Sequence, residues 1–596
     1  MYLYRQGRFI ESEKYFQRAV RKQTWKSPNP YYGEPLFNLG LSLLMQGKID
    51  ESYEVFYKST WNDDTQGSGF FQLACIETSR DNLKQATSFI KKALIRNMHN
   101  MKARHLEIVL TRKKGENTQQ LLEVSLNIDS MDLGLLYEKS LATNNYAEWL
   151  KAMRASINNY LEIAGDYLRI GCYYEALNIL KHCPKESPLL HYYSAYIYLL
   201  LEKKNEAKEE VIRGENSNPD YCFPSKLIEK IILERIVEVF PEESSFASYY
   251  LGNLMYDKKC YDAAIKLWER SLERRDDFAI PYTNLSFAYY NQNEQSELAL
   301  PMMEKAFQLD SSDARLLLEL DLLKAKKGFS VEERLGVLKE NIDTTSVRDD
   351  LFVEYIKLLN NSGKYDEALS SIMNRQFHPW EGGEGKVSTQ YVYSLIQFAR
   401  RCIIDKPDEA ITYLNRALER PYNLGEGKLP NYHDNIAHYY LGQIYESKGQ
   451  IEQANIHFRQ AIKGTTQPES IMYYNDQPPE SILYKGFAHE KLGEVSQARK
   501  CFHQLLAYGE THYYDQVEYD YFAVSLPATV VFKENLTLKN RVYCNYLIGL
   551  GYLGLEEYET SRNMFHKVLQ VEPDNQGAIH HLEIIKNKIQ ETELSK

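Results

Sequence analysis

Residues 435–461, NIAHYYLGQIYESKGQIEQANIHFRQA, restrict the fold more than any other part of the chain. Large and small residues recur here in a fixed order: Leu441-Gly442, Tyr445, Ala454, Phe458 and Ala461. Gly442 and Ala454 are small enough to let two antiparallel helices cross closely, and Tyr445 and Phe458 are large enough to fill the groove beside the crossing. Lys448-Gly449-Gln450 supplies the turn, with glycine free to take the left-handed conformation that ends a helix. One such hairpin leaves an apolar stripe uncovered, so it requires similar neighbours on both sides.

The remainder of the chain supplies those neighbours. Its 596 residues exceed what one hydrophobic core accommodates. Near the start, Tyr4, Gly7, Phe9, Ser12, Phe16 and Ala19 match the second half of the same pattern, so the first helix of that unit is expected to be shortened or to have continued upstream. Gly33, Gly67 and Met101 then open units 34 residues apart, the last of them weak. Residues 101–155 read as helical without a clean pattern, with Trp149 as a core residue. Clear units return at Tyr160 to Leu180, Ala195 to Pro219, Leu251 to Ser271 and Leu285 to Ala306; residues 313–345 are degenerate, and Tyr355, Ala368 and Ile372 resume the pattern. Pairs continue through Ala410 and Ala417, Leu441 to Ala461, Gly486 to Phe502 and Gly549 to Pro573. A final helix from Gln576 to Gln590 reads as a cap, polar on one side, with His580-His581 expected to be exposed.

Composition narrows the function. The net charge of -11, from 71 Lys+Arg and 82 Asp+Glu, argues against nucleic acid or an anionic membrane as partner. The eight cysteines are scattered, without Cys-x-x-Cys pairs or zinc spacing, which suits reduced thiols and a cytoplasmic setting and offers no metal site. The N-terminus lacks the apolar core of a signal peptide, and no apolar run is long enough to span a bilayer. No metalloprotease, nucleophile-elbow or calcium-loop motif is present, and no cofactor is implied.

In the C-terminal half the connections between units lengthen, over 376–387, 419–434, 464–479 and 507–541. Each leaves the second helix of one pair and enters the first helix of the next, so all four are expected on one rim. The first two echo each other: FHPWEGGEGK (Phe377 to Lys386) and RPYNLGEGK (Arg420 to Lys428). Neither is a nucleotide phosphate loop, since Trp380 and Tyr422 occupy the first glycine position and Val387 and Leu429 the hydroxyl position. A weaker anion nest of glycine amides stays open beside the plainer reading, in which the glycines let the loops lie flat and Trp380 plugs a groove. The last loop, Tyr508 to Leu536, holds Asp515, Glu518 and Asp520 among tyrosines; paired carboxylates beside aromatic rings furnish glycosidase sites, but any acidic loop supplies them.

Tyrosine is abundant, with 47 residues and pairs at Tyr192-Tyr193, Tyr249-Tyr250, Tyr289-Tyr290, Tyr439-Tyr440 and Tyr473-Tyr474. By the phase of the pattern, Tyr192, Tyr196, Phe246, Tyr249, Tyr256, Phe287, Tyr290, Tyr439, Tyr543 and Tyr546 point to the inner face of the array. There they either grip a ligand or pack against the next pair.

These units resemble the tetratricopeptide-repeat (TPR) family across most of the chain, most specifically at Asn435–Ala461, Ser245–Asp276 and Val542–Pro573. The resemblance implies an all-α, right-handed α-solenoid acting as a protein-interaction scaffold with no chemistry of its own. A narrower resemblance rests on RQFHPWEGGEGK, RPYNLGEGK, DYFAVSLP and YLIGLGYLGLEEYETSRNMFHKVL. These are similar to the C-terminal TPR array of bacterial proteins that carry an uncharacterised β-rich N-terminal domain linked to carbohydrate. The resemblance implies that this domain, with any activity it holds, is absent here. The resulting expectation is two array segments, 1–345 and 346–596, forming a non-catalytic scaffold for a protein or peptide. The expected binding residues are Tyr249, Tyr256, Tyr439, His378, Trp380, Glu384, Lys386, Glu426 and Lys428. The alternative is a carbohydrate-binding or carbohydrate-processing accessory protein, its glycan held by tyrosines and loop carboxylates.

Overall fold

The small-beside-large rule of the sequence is the geometry that builds the molecule. In a computed structural model, a β-carbon added to Gly442 would stand 2.5 Å from the Phe458 ring, so no residue with a side chain fits the crossing without moving that ring. Gly40 lies under Phe56 in the same way, Gly252 under Trp268, Gly486 under Phe502 and Gly549 under Phe565. Where the second helix carries serine rather than alanine at the crossing, its hydroxyl donates to the glycine carbonyl of the first: Ser52 to Gly40 at 2.9 Å and Ser561 to Gly549 at 2.7 Å. The hydroxyl is therefore buried without being left unpaired.

The structure describes residues 1–25, 27–28, 31–292, 296–380, 382–429, 432–469, 477–518 and 531–594. Among them every regular element is helical: 33 α-helices and one short 3-10 helix, Tyr422–Leu424. Antiparallel helix pairs follow one another as a TPR-type solenoid. No described helix is long and apolar enough to cross a membrane. The pair Tyr473-Tyr474 and all of DYFAVSLP, Asp520 included, fall outside the described residues.

Two compact units divide the chain, Met1–Asp277 and Phe278–Lys596. The division expected near residue 345 falls inside the second unit, within a continuous core. There Leu317, Val331, Leu335 and Leu338 share contacts with Leu351, Val353, Ile356 and Leu359.

In the first unit the four-residue helix Tyr2–Arg5 precedes Phe9–Thr24, which buries Phe9, Ser12 and Phe16 as the pattern requires. The weak stretch resolves into short helices, Met101–Lys113, Gln119–Ile128, Leu133–Thr143 and Ala147–Met153. Trp149 is fully buried there, its ring 5.0 Å from Tyr137 and 5.7 Å from Tyr160. The unit closes on itself: Gln6 donates to the Lys258 carbonyl at 3.0 Å, and Lys226 pairs with Glu162 at 2.6 Å.

The second unit departs from expectation at its end. The fourth long connection is shorter than the sequence suggests, because helix Val495–His512 runs on past the pattern and Leu536–Gly554 starts early. Asn535 caps the early start by accepting from the Leu538 amide at 3.0 Å. The returning limb of this connection crosses to much earlier helices. Phe532 is buried against Phe287 and Tyr290, the Asn291 side chain donates to the Val531 carbonyl at 3.0 Å, and Lys326 pairs with Glu534 at 3.0 Å.

Candidate functional site

The two echoing loops fold onto one another. The Phe377 amide donates to the Asn423 carbonyl at 2.9 Å, and the Asn423 side chain donates back to the carbonyls of Ile372 and Arg375. Gly425, at φ +74, brings its α-carbon so close to the Phe377 carbonyl that a β-carbon would lie 2.6 Å from that oxygen. Phe377 is buried in the core, and half-buried Trp380 covers Gly383, whose added β-carbon would meet the indole.

The glycine-rich turn of the first loop does form an anion nest, and the second loop fills it. Glu426 accepts from the Gly385 amide at 2.7 Å and the Ser388 amide at 2.8 Å. These amides open helix Lys386–Cys402, where unpaired N–H groups and the helix dipole both favour a negative charge. Glu426 is thus a helix cap contributed by the next repeat. Glu215 does the same in the first unit, accepting from the amides of Phe246 and Ala247 at 2.7 and 2.9 Å and from the Tyr192 hydroxyl at 2.8 Å.

Lys428 is committed as well. It pairs with Asp434, a buried residue at φ +43 that Arg420 also approaches at 3.4 Å. These two cations hold Asp434 in the left-handed conformation at the entrance of helix Asn435–Ser447. Beside it is a cavity of about 50 Å³ lined by Val392, Ile396, Tyr432, His433, Asn435 and Ser481, with Asp434 as its one carboxylate. Three of the expected rim residues remain toward solvent: His378, hydrogen-bonded through its amide to Asp349 at 2.9 Å, the half-exposed Glu384, and Lys386. Exposed Tyr422 stands with them on the neighbouring loop. In the last loop, Asp515 pairs with His512 at 2.7 Å and Glu518 is exposed.

The expected tyrosines are packing residues. Tyr249 is buried, 5.1 Å from the Tyr250 ring. Tyr256 lies half-buried between Tyr261 and Trp268, at 4.9 and 5.3 Å. Tyr439 contacts the rings of Tyr440, Phe458, Tyr484 and Phe487 and accepts from Gln443 at 2.9 Å. Tyr439 thus fills the seam to the next pair, while Tyr256 packs within its own pair.

The last helix, Gln576–Leu594, packs against helices of the second unit that lie far earlier in the chain. The expectation that His580 and His581 face solvent is corrected: they are 7% and 1% exposed. Asp574, just ahead of the helix, is gripped by Arg334 and Lys357, each at 2.8 Å, and its carbonyl accepts from Asn361 at 2.9 Å. Gln390 and Gln576 exchange hydrogen bonds at 3.1–3.2 Å. Gln397 and Arg400 both donate to His580 Nδ1 at 3.0 Å, which leaves the ring neutral with its proton on Nε2, toward Tyr484. Tyr546 donates to Glu480 at 2.5 Å and lies 3.3 Å from His581 Nδ1. Burial drives His580 well below the ordinary imidazole range and His581 down to about 4, while the cations around Asp574 hold its carboxyl well below the usual range. The sequence carried no sign of this contact beyond the polar side of the last helix, because its partners lie some 180 to 240 residues away.

The tetratricopeptide-repeat family pattern matches residues 405–468, and the Fis1 C-terminal tetratricopeptide repeat matches 543–594. The chain carries tetratricopeptide repeats in these two segments. Among solved structures, yeast Tom70 is 12% identical over 94% of this chain and 96% of its own, with a TM-score of 0.27. Cut9, from the APC/C hetero-tetramer Cut9-Hcn1, is 14% identical over 93% of this chain and 96% of its own, at 0.24. YrrB, described as a TPR protein with an unusual peptide-binding site, is 17% identical over 39% of this chain and 96% of its own, at 0.16.

Proposed function

We propose that this TPR protein is a non-catalytic, cytoplasmic scaffold for a protein or peptide partner, and that the paired loops of its second unit form the docking platform. One observation carries the reading. The loops are fixed by each other, through the Phe377–Asn423 backbone bond and the Glu426 cap, and so present His378, Glu384, Lys386 and Tyr422 on a rigid base. A pre-ordered surface loses little entropy on binding, and an exposed tyrosine beside charged groups is the chemistry of a protein contact. The eight free thiols support a reducing compartment.

The test compares capture from source-cell lysate by the wild-type chain and by a variant with His378→Ala, Lys386→Ala and Tyr422→Ala that keeps the wild-type melt. A stoichiometric protein partner lost with the variant supports the platform. Equal capture by both overturns the placement. Binding on a glycan array with no protein partner favours the carbohydrate alternative.

A further inference from the structure

We propose that the face built by helices Asp349–Asn361 and Lys386–Cys402 is a binding surface for an acidic-led helical segment. In this structure the chain's own residues Asp574–Glu583 occupy it, and a partner helix of the same chemistry would displace them. The proposal rests on the reading of the chain as a protein-binding scaffold, and it concerns a different face from the loop platform.

The two sides of helix Gln576–Leu594 are held by different chemistry. Toward its own repeat it is anchored by apolar residues: Ala578, Leu582 and Ile585 pack with Val542, Leu547 and Phe565. Toward helices Asp349–Asn361 and Lys386–Cys402 the contact is mainly polar and ionic, with Asp574 on Lys357, Gln576 on Gln390, His580 on Gln397 and Arg400, and Glu583 on Arg400 at 3.5 Å; the Tyr393 ring packs edge-on against His580 at 5.9 Å, and Arg334 of helix Val331–Glu340 adds a second cation to Asp574. Gln390, Gln397 and Arg400 lie along one face of their helix, so they read a second helix in register. Ion pairs and amide contacts shielded from water define which segment fits more than they hold it there, because desolvation offsets much of their attraction. The fit is also incomplete. Asn361, which donates to the Asp574 carbonyl, has its Oδ1 buried without a hydrogen-bond partner. A seam selected only for permanence would be apolar and satisfied; this one resembles the polar, specific half of a helix-in-groove complex.

The probe is a fluorescein-labelled peptide copying residues 572–594, titrated against the full chain. The wild type should bind it weakly, because the tethered copy competes at a high effective concentration. In the Asp574→Asn/Glu583→Gln variant, which weakens the tethered copy, binding should tighten by about tenfold or more. Adding Lys357→Gln to that background should reverse the gain. Equal affinity for wild type and release variant, or no effect of Lys357→Gln, would overturn the proposal. A second measurement needs no variant. Raising salt in the wild type should speed amide hydrogen exchange over Gln576–Glu583 while helix Asn435–Ser447 keeps its rate. A single common rate at every salt concentration would mean that the segment is fixed core, not a displaceable ligand. His378→Ala/Lys386→Ala/Tyr422→Ala should change neither result, so loss of the platform reading leaves this test intact.

Discussion

Replacing Glu426 tests whether the two echoing loops are one structural device. Its carboxylate accepts from two amides, at 2.7 and 2.8 Å, at the start of the 17-residue helix Lys386–Cys402. Loss of a helix cap costs about 0.5–2 kcal/mol. Loss of a negative charge at a helix N-terminus costs a further ~0.3–1 kcal/mol. Glu426→Ala should therefore destabilise the chain by about 1–3 kcal/mol. Glu426→Gln keeps one acceptor oxygen and loses the charge, so it should cost roughly half as much. Urea unfolding should show a lower midpoint with an unchanged slope, since the same surface is exposed. Exchange of the Gly385 and Ser388 amides should quicken more than exchange in helix Asn435–Ser447. A Glu426→Ala chain within about 0.3 kcal/mol of wild type, or a glutamine as harmful as alanine, would refute the cross-loop cap.

Three other perturbations follow from the packing and the buried charges. Gly442→Ala should cost about 1–2 kcal/mol in a urea melt despite its better helix propensity, because the new methyl meets the Phe458 ring at 2.5 Å; Phe458→Leu in the same chain should cost less than the two changes summed. Trp149→Ala should lose about 3–5 kcal/mol, whereas Trp149→Phe should lose under ~1.5 kcal/mol, because the indole N–H is buried without a partner and its removal leaves no group unpaired. His581 should make the chain acid-sensitive. Its folded pKa is lowered to about 4, so the unfolded chain takes up the proton first; stability is full above the ordinary imidazole value and falls as pH drops toward 4. From that shift, about 2 kcal/mol should be lost between roughly pH 7 and 5, and His581→Asn should lose that much less over the same interval.

The repeat was legible in the sequence because each unit states its own rule locally. Glycine or alanine in the first helix faces an aromatic in the second, and both lie within one 34-residue period. The same locality made Trp149 readable as core. The loops were legible only in part. The echo between 383–386 and 425–428 singled out both glutamates and both lysines as binding residues, yet Glu426 is spent on a contact within the chain, reaching from one copy into the other. Of the tyrosines placed on the inner face by phase, Tyr439 packs on the next pair and Tyr256 within its own, because the phase fixes a direction and not the distance to the nearest ring. Least visible was the last helix. His580 and His581 read as exposed because two histidines among polar neighbours suggest a surface. Their burial depends on Gln397, Arg400, Tyr484 and Tyr546, which only tertiary folding brings together.

The central claim is that the C-terminal segment packs back on earlier helices of the second unit, with Asp574 held by Lys357 and Arg334. A double-mutant cycle of Lys357→Gln and Asp574→Asn, read by urea unfolding, tests it most directly. The 2.8 Å pair predicts a coupling energy of about 0.5–3 kcal/mol, weakening as salt is raised. Additive effects, within about 0.3 kcal/mol at low salt, would mean that Asp574 does not meet Lys357 and that the segment does not pack there.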